Sequence, residues 1–201
     1  VYIPIPPVSY PPDNSWSKEK FELGKKLFFD PILSGDNSMS CATCHLPELG
    51  WGDGLPKAIG FEKKILSKNT PTLLNSAFNK FQFWDGRAKS LEEQAKGPIQ
   101  SPVEMNQDAE QLIKELEGIE EYKNLFQNVF GPSGISFDNI AKSIATFERS
   151  LVSGTSDYDR YWLGDKNALS SKAQRGMQLF FGKAKCSICH IGPFFTDNQF
   201  H

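Results

Sequence analysis

Cys41-Ala42-Thr43-Cys44-His45 and Cys186-Ser187-Ile188-Cys189-His190 are two copies of one pattern, C-x-x-C-H, in a single chain. Together they use all four cysteines and two of the three histidines. The pattern is the attachment signature of a c-type haem, and its spacing has a chemical reason. Two thiols three positions apart reach the two vinyl groups on one edge of a porphyrin. The next residue, His, then falls under the ring, where an imidazole nitrogen meets the iron. A zinc site would need both motifs to converge on one metal through four thiolates or a thiolate–imidazole mixture, leaving the adjacent histidines idle or strained. A disulfide framework gives no reason for a His after each second cysteine. Two covalent haems use every residue of both motifs.

Working outward, composition narrows the class. The chain has 201 residues, one large or two small domains' worth. Hydrophobic content of 39% and aromatic content of 12% are enough for a core, and sixteen Phe supply flat apolar partners for a porphyrin. A net charge of -2 gives no basic surface for nucleic acid or an acidic membrane. No apolar run approaches ~18 residues, so no transmembrane helix is expected. No signal peptide is visible. Because bacterial c-haem attachment takes place outside the cytoplasmic membrane, the sequence reads as a mature periplasmic protein.

The organisation is all-α with long haem-covering loops. Residues 1–16 form a proline-rich arm, with Pro4, Pro6, Pro7, Pro11 and Pro12 disfavouring helix. Ser17 caps a helix running to about Asp30, where Pro31 ends it. A helical period runs through Leu112, Ile113, Leu116, Ile119, Tyr122, Leu125, Phe126 and Val129, with a break at Gly118. Ser136 caps another helix with Phe137, Ile140, Ile144, Phe147 and Leu151 on one face. Ser170 or Ser171 opens a last helix that stops at Gly182. Leu23-Gly24-Lys25-Lys26-Leu27-Phe28-Phe29 echoes Arg175-Gly176-Met177-Gln178-Leu179-Phe180-Phe181, and each copy leads to C-x-x-C-H and then to an aromatic and an Asp, Trp51…Asp53 and Phe195…Asp197. Two cytochrome c-like domains follow: residues 17–160 around the first haem and 161–201 around the second, with the boundary in the Gly/Ser/Asp-rich stretch near 155–168. The second stretch is too short to enclose a haem and reads as an incomplete domain.

Axial ligands decide whether a haem carries electrons or reacts. His45 and His190 are the proximal ligands, and only His201 remains; its ordinary role is a loop histidine. Met39 lies too close to Cys41 to cross to the far face, and Met177 suits core packing. At least one iron therefore has an open or weakly held sixth position, where a small molecule can react.

Asn69-Thr70-Pro71-Thr72-Leu73-Leu74-Asn75, Phe83-Trp84-Asp85-Gly86-Arg87-Ala88, Glu93-Gln94-Ala95, Gly97-Pro98-Ile99 and Pro102-Val103-Glu104-Met105, in this order and with both haem motifs, resemble the bacterial dihaem cytochrome c peroxidase family, which includes the MauG-type dihaem oxidases. The resemblance runs from about residue 17 to the end. It implies a low-potential peroxidatic haem on Cys41, Cys44 and His45 and a high-potential electron-accepting haem on Cys186, Cys189 and His190. It implies that Glu104 is the distal acid–base group, Gln94 the distal glutamine and Trp84 the tryptophan between the haems. It also implies that Asn69 is a ligand of a calcium ion whose other ligands lie beyond residue 201. The chemistry of peroxide cleavage agrees, since a carboxylate above the iron can move a proton from the inner to the outer oxygen. The bland alternatives are an exposed loop Glu, a helix-surface Gln and a core Trp. Arg87 is expected to fork onto a haem propionate rather than onto Asp85.

Two departures stand out. The family pattern places a distal His a few residues before the Asn-Thr-Pro motif, where it blocks the iron until the other haem is reduced. Here the segment reads Ile59-Gly60-Phe61-Glu62, and Phe61 cannot ligate iron. The first haem is therefore expected to be open in the oxidised protein; Glu62, Lys63 and Lys64 are weaker candidate ligands. The sixth ligand of the second haem, Met or, in MauG-type members, Tyr, is expected beyond residue 201. The function implied is reduction of hydrogen peroxide to water with electrons from a small cytochrome c or cupredoxin. A MauG-like oxidase of protein Trp or Tyr residues, a dihaem electron carrier and a dihaem sensor are the alternatives. A homodimer is possible within such a family.

Overall fold

The computed structural model describes residues 2–200. Within them the chain forms α1 (Lys18–Phe29), α2 (Cys41–Cys44), α3 (Leu91–Gln100), α4 (Ala109–Glu117), α5 (Glu120–Phe130), α6 (Phe137–Glu148), α7 (Asp157–Trp162) and α8 (Ser171–Phe181), joined by loops and short 3-10 turns. Among the described residues there are isolated antiparallel bridges and no strand, as an all-α fold requires. No helix among them is long and apolar enough to cross a membrane.

The chain divides into two compact units, residues 9–152 and residues 2–8 with 153–200. In the larger unit, Ser17 caps α1 by accepting from the Lys20 N–H at 3.2 Å, satisfying one of the orphan donors of the first turn. Leu23, Leu27 and Phe28 are fully buried on one face of α1. Gly24 lets that face approach α6 closely: a Cβ there would stand 1.8 Å from the Ser143 carbonyl oxygen. Gly118 divides α4 from α5 as the sequence predicts, and Leu112, Leu116, Tyr122 and Phe126 fill the core beneath. The Tyr122 hydroxyl donates to the Asp30 carboxylate at 2.5 Å, tying α5 to the end of α1. Ser136 caps α6, whose Ile140, Ile144 and Phe147 complete the core.

A polar knot fastens this unit from inside. Arg149 forks onto Glu92 of α3 at 2.6 and 2.9 Å. Asn14, fully buried, donates to Glu92 at 2.6 Å and to the Lys142 carbonyl at 3.0 Å, and accepts from Lys20 at 3.0 Å.

In the smaller unit Ser170 caps α8, accepting from the Ala173 N–H at 3.2 Å. The expected arm 1–16 is not one element. Tyr2 stacks on Trp162 with centroids 6.4 Å apart and donates to Asp159 at 3.1 Å, so residues 2–8 group with 153–200, whereas Asn14 is buried in the larger unit. The compact units divide at 152/153 rather than at 160/161. The stretch read as a boundary holds α7, because Ser156 and Asp159 form a reciprocal capping box that starts a helix in six residues.

Candidate haem sites

In the first motif, His45 N–H donates to the Cys41 carbonyl at 3.0 Å, closing the turn of α2 that puts both thiols and the imidazole at one cavity. The chain then curls back: Leu46 and Gly52 pair, and Trp51, at φ 63°, donates its N–H to Leu46. This aims the Trp51 carbonyl at His45 Nδ1, 3.0 Å away. A carbonyl only accepts, so Nδ1 carries the proton and Nε2 keeps the lone pair that an iron needs. Burial lowers the affinity of His45 for a second proton, opposed by the Trp51 carbonyl, and so favours the neutral ligand form. Burial pushes both the Cys41 and Cys44 thiols up, with Glu148 adding to the effect on Cys41.

The second motif repeats the arrangement. His190 N–H donates to Cys186 at 3.0 Å, and its Nδ1 lies 2.9 Å from the Phe195 carbonyl, with Phe195 at φ 53°. Phe180 tilts against His190 at 6.2 Å and meets Phe195 at 5.6 Å. In the first copy Phe28 tilts against His45 at 6.4 Å and meets Trp51 at 5.9 Å. The sequence repeat is thus a repeat of one aromatic seat for an imidazole.

The first site opens on a cavity of about 1000 Å³ within the larger unit. Ala58, Leu73, Ala95, Ile99, Val103, Met105 and Ile144 give it apolar walls, and Gln94, Glu104, Trp84 and Asn69 all line it with the motif residues. Gln94 sits half-buried on α3. Glu104 lies just beyond, in a turn folded back on the end of α3. Its N–H donates to Ser101, while Met105 and Gln107 donate to the Pro98 and Ile99 carbonyls. From the other side Phe61 N–H donates to the Glu104 carbonyl at 2.8 Å. Gly60 permits that approach, since a Cβ there would stand 2.0 Å from the Val103 carbonyl oxygen.

Trp84 is 56% exposed, and its indole N–H donates to the Asn69 carbonyl at 3.1 Å. It is therefore not the core aromatic of the bland reading. Arg87 pairs with Asp85 at 2.8 and 3.0 Å and stacks over Phe83 at 3.5 Å, in a loop that the Gln82–Ala88 bridge folds on itself. Asn69 is exposed, and no group of three or more His, Cys, Asp or Glu among the described residues is arranged to hold a metal ion. Met39 and Met105 are buried. His201 lies outside the described residues.

Two wall residues escape a reading of the sequence. Glu148 and Ser76 are 4% and 3% exposed, line the same cavity, and have Oε2 and Oγ, respectively, without a hydrogen-bond partner. Glu148 follows Ile144 by one helical turn, so the helical period already places it on the inward face. A large apolar cavity, paired thiols, an oriented imidazole and orphaned polar atoms together fit a haem.

A family model described as Di-haem cytochrome c peroxidase matches residues 18–167. The chain is 47% identical over 195 residues to the methylamine utilization protein MauG of Methylorubrum extorquens, covering 96% of this chain and 55% of that one. It is 44% identical over 178 residues to the cytochrome c551 peroxidase of Pseudomonas aeruginosa, covering 88% and 51%. The crystal structure of a MauG-like protein associated with microbial copper homeostasis superposes with a TM-score of 0.86 at 32% identity, covering 98% and 60%. The chain spans about half the length of the curated relatives it matches.

Proposed function

The chain belongs to the di-haem cytochrome c peroxidase family, and from that premise we propose that it is the two-haem portion of a periplasmic enzyme that reduces hydrogen peroxide to water. The observation that carries the reading is the convergence of Glu104 and Gln94 on the cavity shared by Cys41, Cys44 and His45. Cys41 and Cys44 would hold one haem covalently with His45 as its ligand, and Cys186 and Cys189 the other with His190. Bound haem supplies a redox-active iron at which peroxide reacts. Glu104 accepts a proton from the inner peroxide oxygen and returns it to the outer one, while the Gln94 amide orients the peroxide. Two electrons and two protons then complete the conversion of one peroxide to two waters. The apolar walls exclude bulk water from the exchange.

The electrons would come from a small cytochrome c or cupredoxin, and Trp84 would be the residue that relays them. Phe61 offers no atom that could ligate iron, so an iron held by His45 would be open to peroxide in the oxidised protein. Asn69 would contribute to a calcium site only together with ligands beyond residue 201, and self-association into a homodimer is part of the same family reading. A MauG-like oxidase of protein Trp or Tyr residues is the second reading, favoured by the identity to the Methylorubrum protein.

The test is the absorption and EPR spectrum of the oxidised holoprotein before and after peroxide, followed by turnover with a reduced small cytochrome c. A high-spin ferric signal that peroxide converts at once, with cytochrome oxidation, supports the peroxidase. Conversion without cytochrome oxidation supports the oxidase. A wholly low-spin, peroxide-inert spectrum overturns both in favour of an electron carrier.

A further inference from the structure

The two imidazole seats differ in what stands behind them. In the first, the Trp51 ring is backed by Phe147 of α6 at 5.9 Å, and Phe147 is 4% exposed, in the core of the larger unit. In the second, Phe195 takes the place of Trp51 and is backed by Tyr158 of α7, with centroids 5.4 Å apart. Phe195 holds φ at 53°, a costly conformation for a bulky residue that persists only where its surroundings enforce it. Yet α7 has six residues, too few to keep its shape without tertiary support. That support comes from a distant part of the chain. Tyr2 meets Tyr158 at 6.3 Å and stacks on Trp162 at 6.4 Å, and its hydroxyl donates to Asp159 at 3.1 Å. Asp159 is also the residue that closes the capping box of α7. Ile3 and Ile5 continue the contact, lining a cavity of about 180 Å³ together with Tyr158, Phe195 and His190.

We propose that Tyr2 and Tyr158 are positioning residues for the second haem. Tyr2 clamps α7, Tyr158 holds the Phe195 ring, and the Phe195 carbonyl thereby stays on His190 Nδ1. This rests on the proposed haem at Cys186, Cys189 and His190. A hydrogen bond at Nδ1 makes the imidazole a more basic ligand, which favours ferric over ferrous iron. The brace therefore holds the reduction potential of the second haem down and fixes its imidazole in one orientation.

The test uses the full two-haem protein, a spectroelectrochemical titration of both haems and EPR of the oxidised form, with the first haem as internal control. Covalent haem is first counted in the wild-type protein as the pyridine haemochrome, and a count below two defeats the reading of the haem sites rather than this assignment. With two haems present, Tyr2→Ala and Tyr158→Ala should each raise the potential of the second haem and broaden its EPR signal, while the first haem keeps both. Tyr2→Phe keeps the stacked ring and loses only the bond to Asp159, so it should stay near wild type. If Tyr158→Ala fails to load two haems, Tyr2→Ala decides. A second-haem potential that does not move overturns the proposal. One that falls overturns it too, because the segment would then be a cover against water rather than a brace for His190.

Discussion

The backbone N–H of Phe61 donates to the carbonyl of Glu104 over 2.8 Å, so the loop that carries a distal ligand in the family pattern is fastened to the turn that carries the candidate acid–base group. Gly60 makes the contact possible, because any Cβ would meet the Val103 carbonyl at 2.0 Å. Gly60→Ala must therefore move the Glu104 turn. A displacement near 1 Å costs on the order of 100-fold in rate. The expected result is that loss in kcat/KM for peroxide with an unchanged ferric spectrum, measured by stopped-flow absorption. Full activity in this variant would mean that the clasp does not position Glu104.

The same position tests the open iron. Phe61 has no ligating atom, whereas an imidazole in its place has one. Phe61→His is expected to convert the high-spin ferric signal of the first haem partly or wholly to low-spin in EPR, and to make the reaction with peroxide depend on prior reduction of the other haem. An unchanged high-spin signal would show that the fastened loop cannot bring residue 61 to the iron.

Much of this architecture is legible in the sequence, for reasons that differ by element. Ser17, Gly118, Ser136 and Gly182 mark helix ends because caps and breaks are local chemistry. The C-x-x-C-H motifs name their own histidines, and the echo of Phe28-Phe29 in Phe180-Phe181 becomes two matching aromatic seats. What stays hidden is non-local. Nothing near Tyr2 announces Trp162, and the Asp85–Arg87 pair depends on how one loop closes. Glu148 stands on a face that the helical period marks as inward, yet the meaning of a charged residue there depends on what the cavity holds.

Glu104→Gln keeps the shape of the side chain and removes its ability to take and return a proton. General acid–base groups contribute about 10²–10⁴-fold, so kcat/KM for peroxide should fall by that order, while binding of cyanide to the first haem is retained. A fall below tenfold would return Glu104 to the role of an exposed loop residue.

Arg149 and Glu92 form a nearly enclosed pair, with side-chain exposures of 6% and 16%. Burial alone would raise the Glu92 carboxyl, but the hydrogen bonds from Arg149 and Asn14 outweigh it and hold the group below the ordinary carboxylate range. The depressed carboxylate contributes stability that is present above the ordinary carboxylate pKa and lost as pH falls through the folded value. Arg149→Ala should cost about 3–5 kcal/mol at neutral pH, because it strands a buried charge, and less under acid conditions that protonate Glu92. Urea unfolding at neutral and acid pH reads both, and an equal cost at the two would remove the pair from the stability of the fold.

Glu148 has the opposite sign. Its carboxyl is raised from 4.5 to about 8, first by burial and then by Glu92 of α3, against the opposing charge of Arg149 beside it. Between those values the folded protein holds a proton that the unfolded chain has released, so this group makes stability fall as pH rises from about 4.5 to about 8 and then level off. At ~1.4 kcal/mol per pKa unit the accumulated penalty is on the order of 5 kcal/mol. Glu148→Gln cannot ionise and escapes it. The stability difference between Glu148→Gln and wild type, from urea unfolding of the haem-loaded protein, is expected to grow in favour of the variant across that window and to stay constant above it. A difference that does not change with pH would mean that Glu148 is ionised in the folded protein, so that a cation or ordered solvent satisfies the oxygen that finds no protein partner.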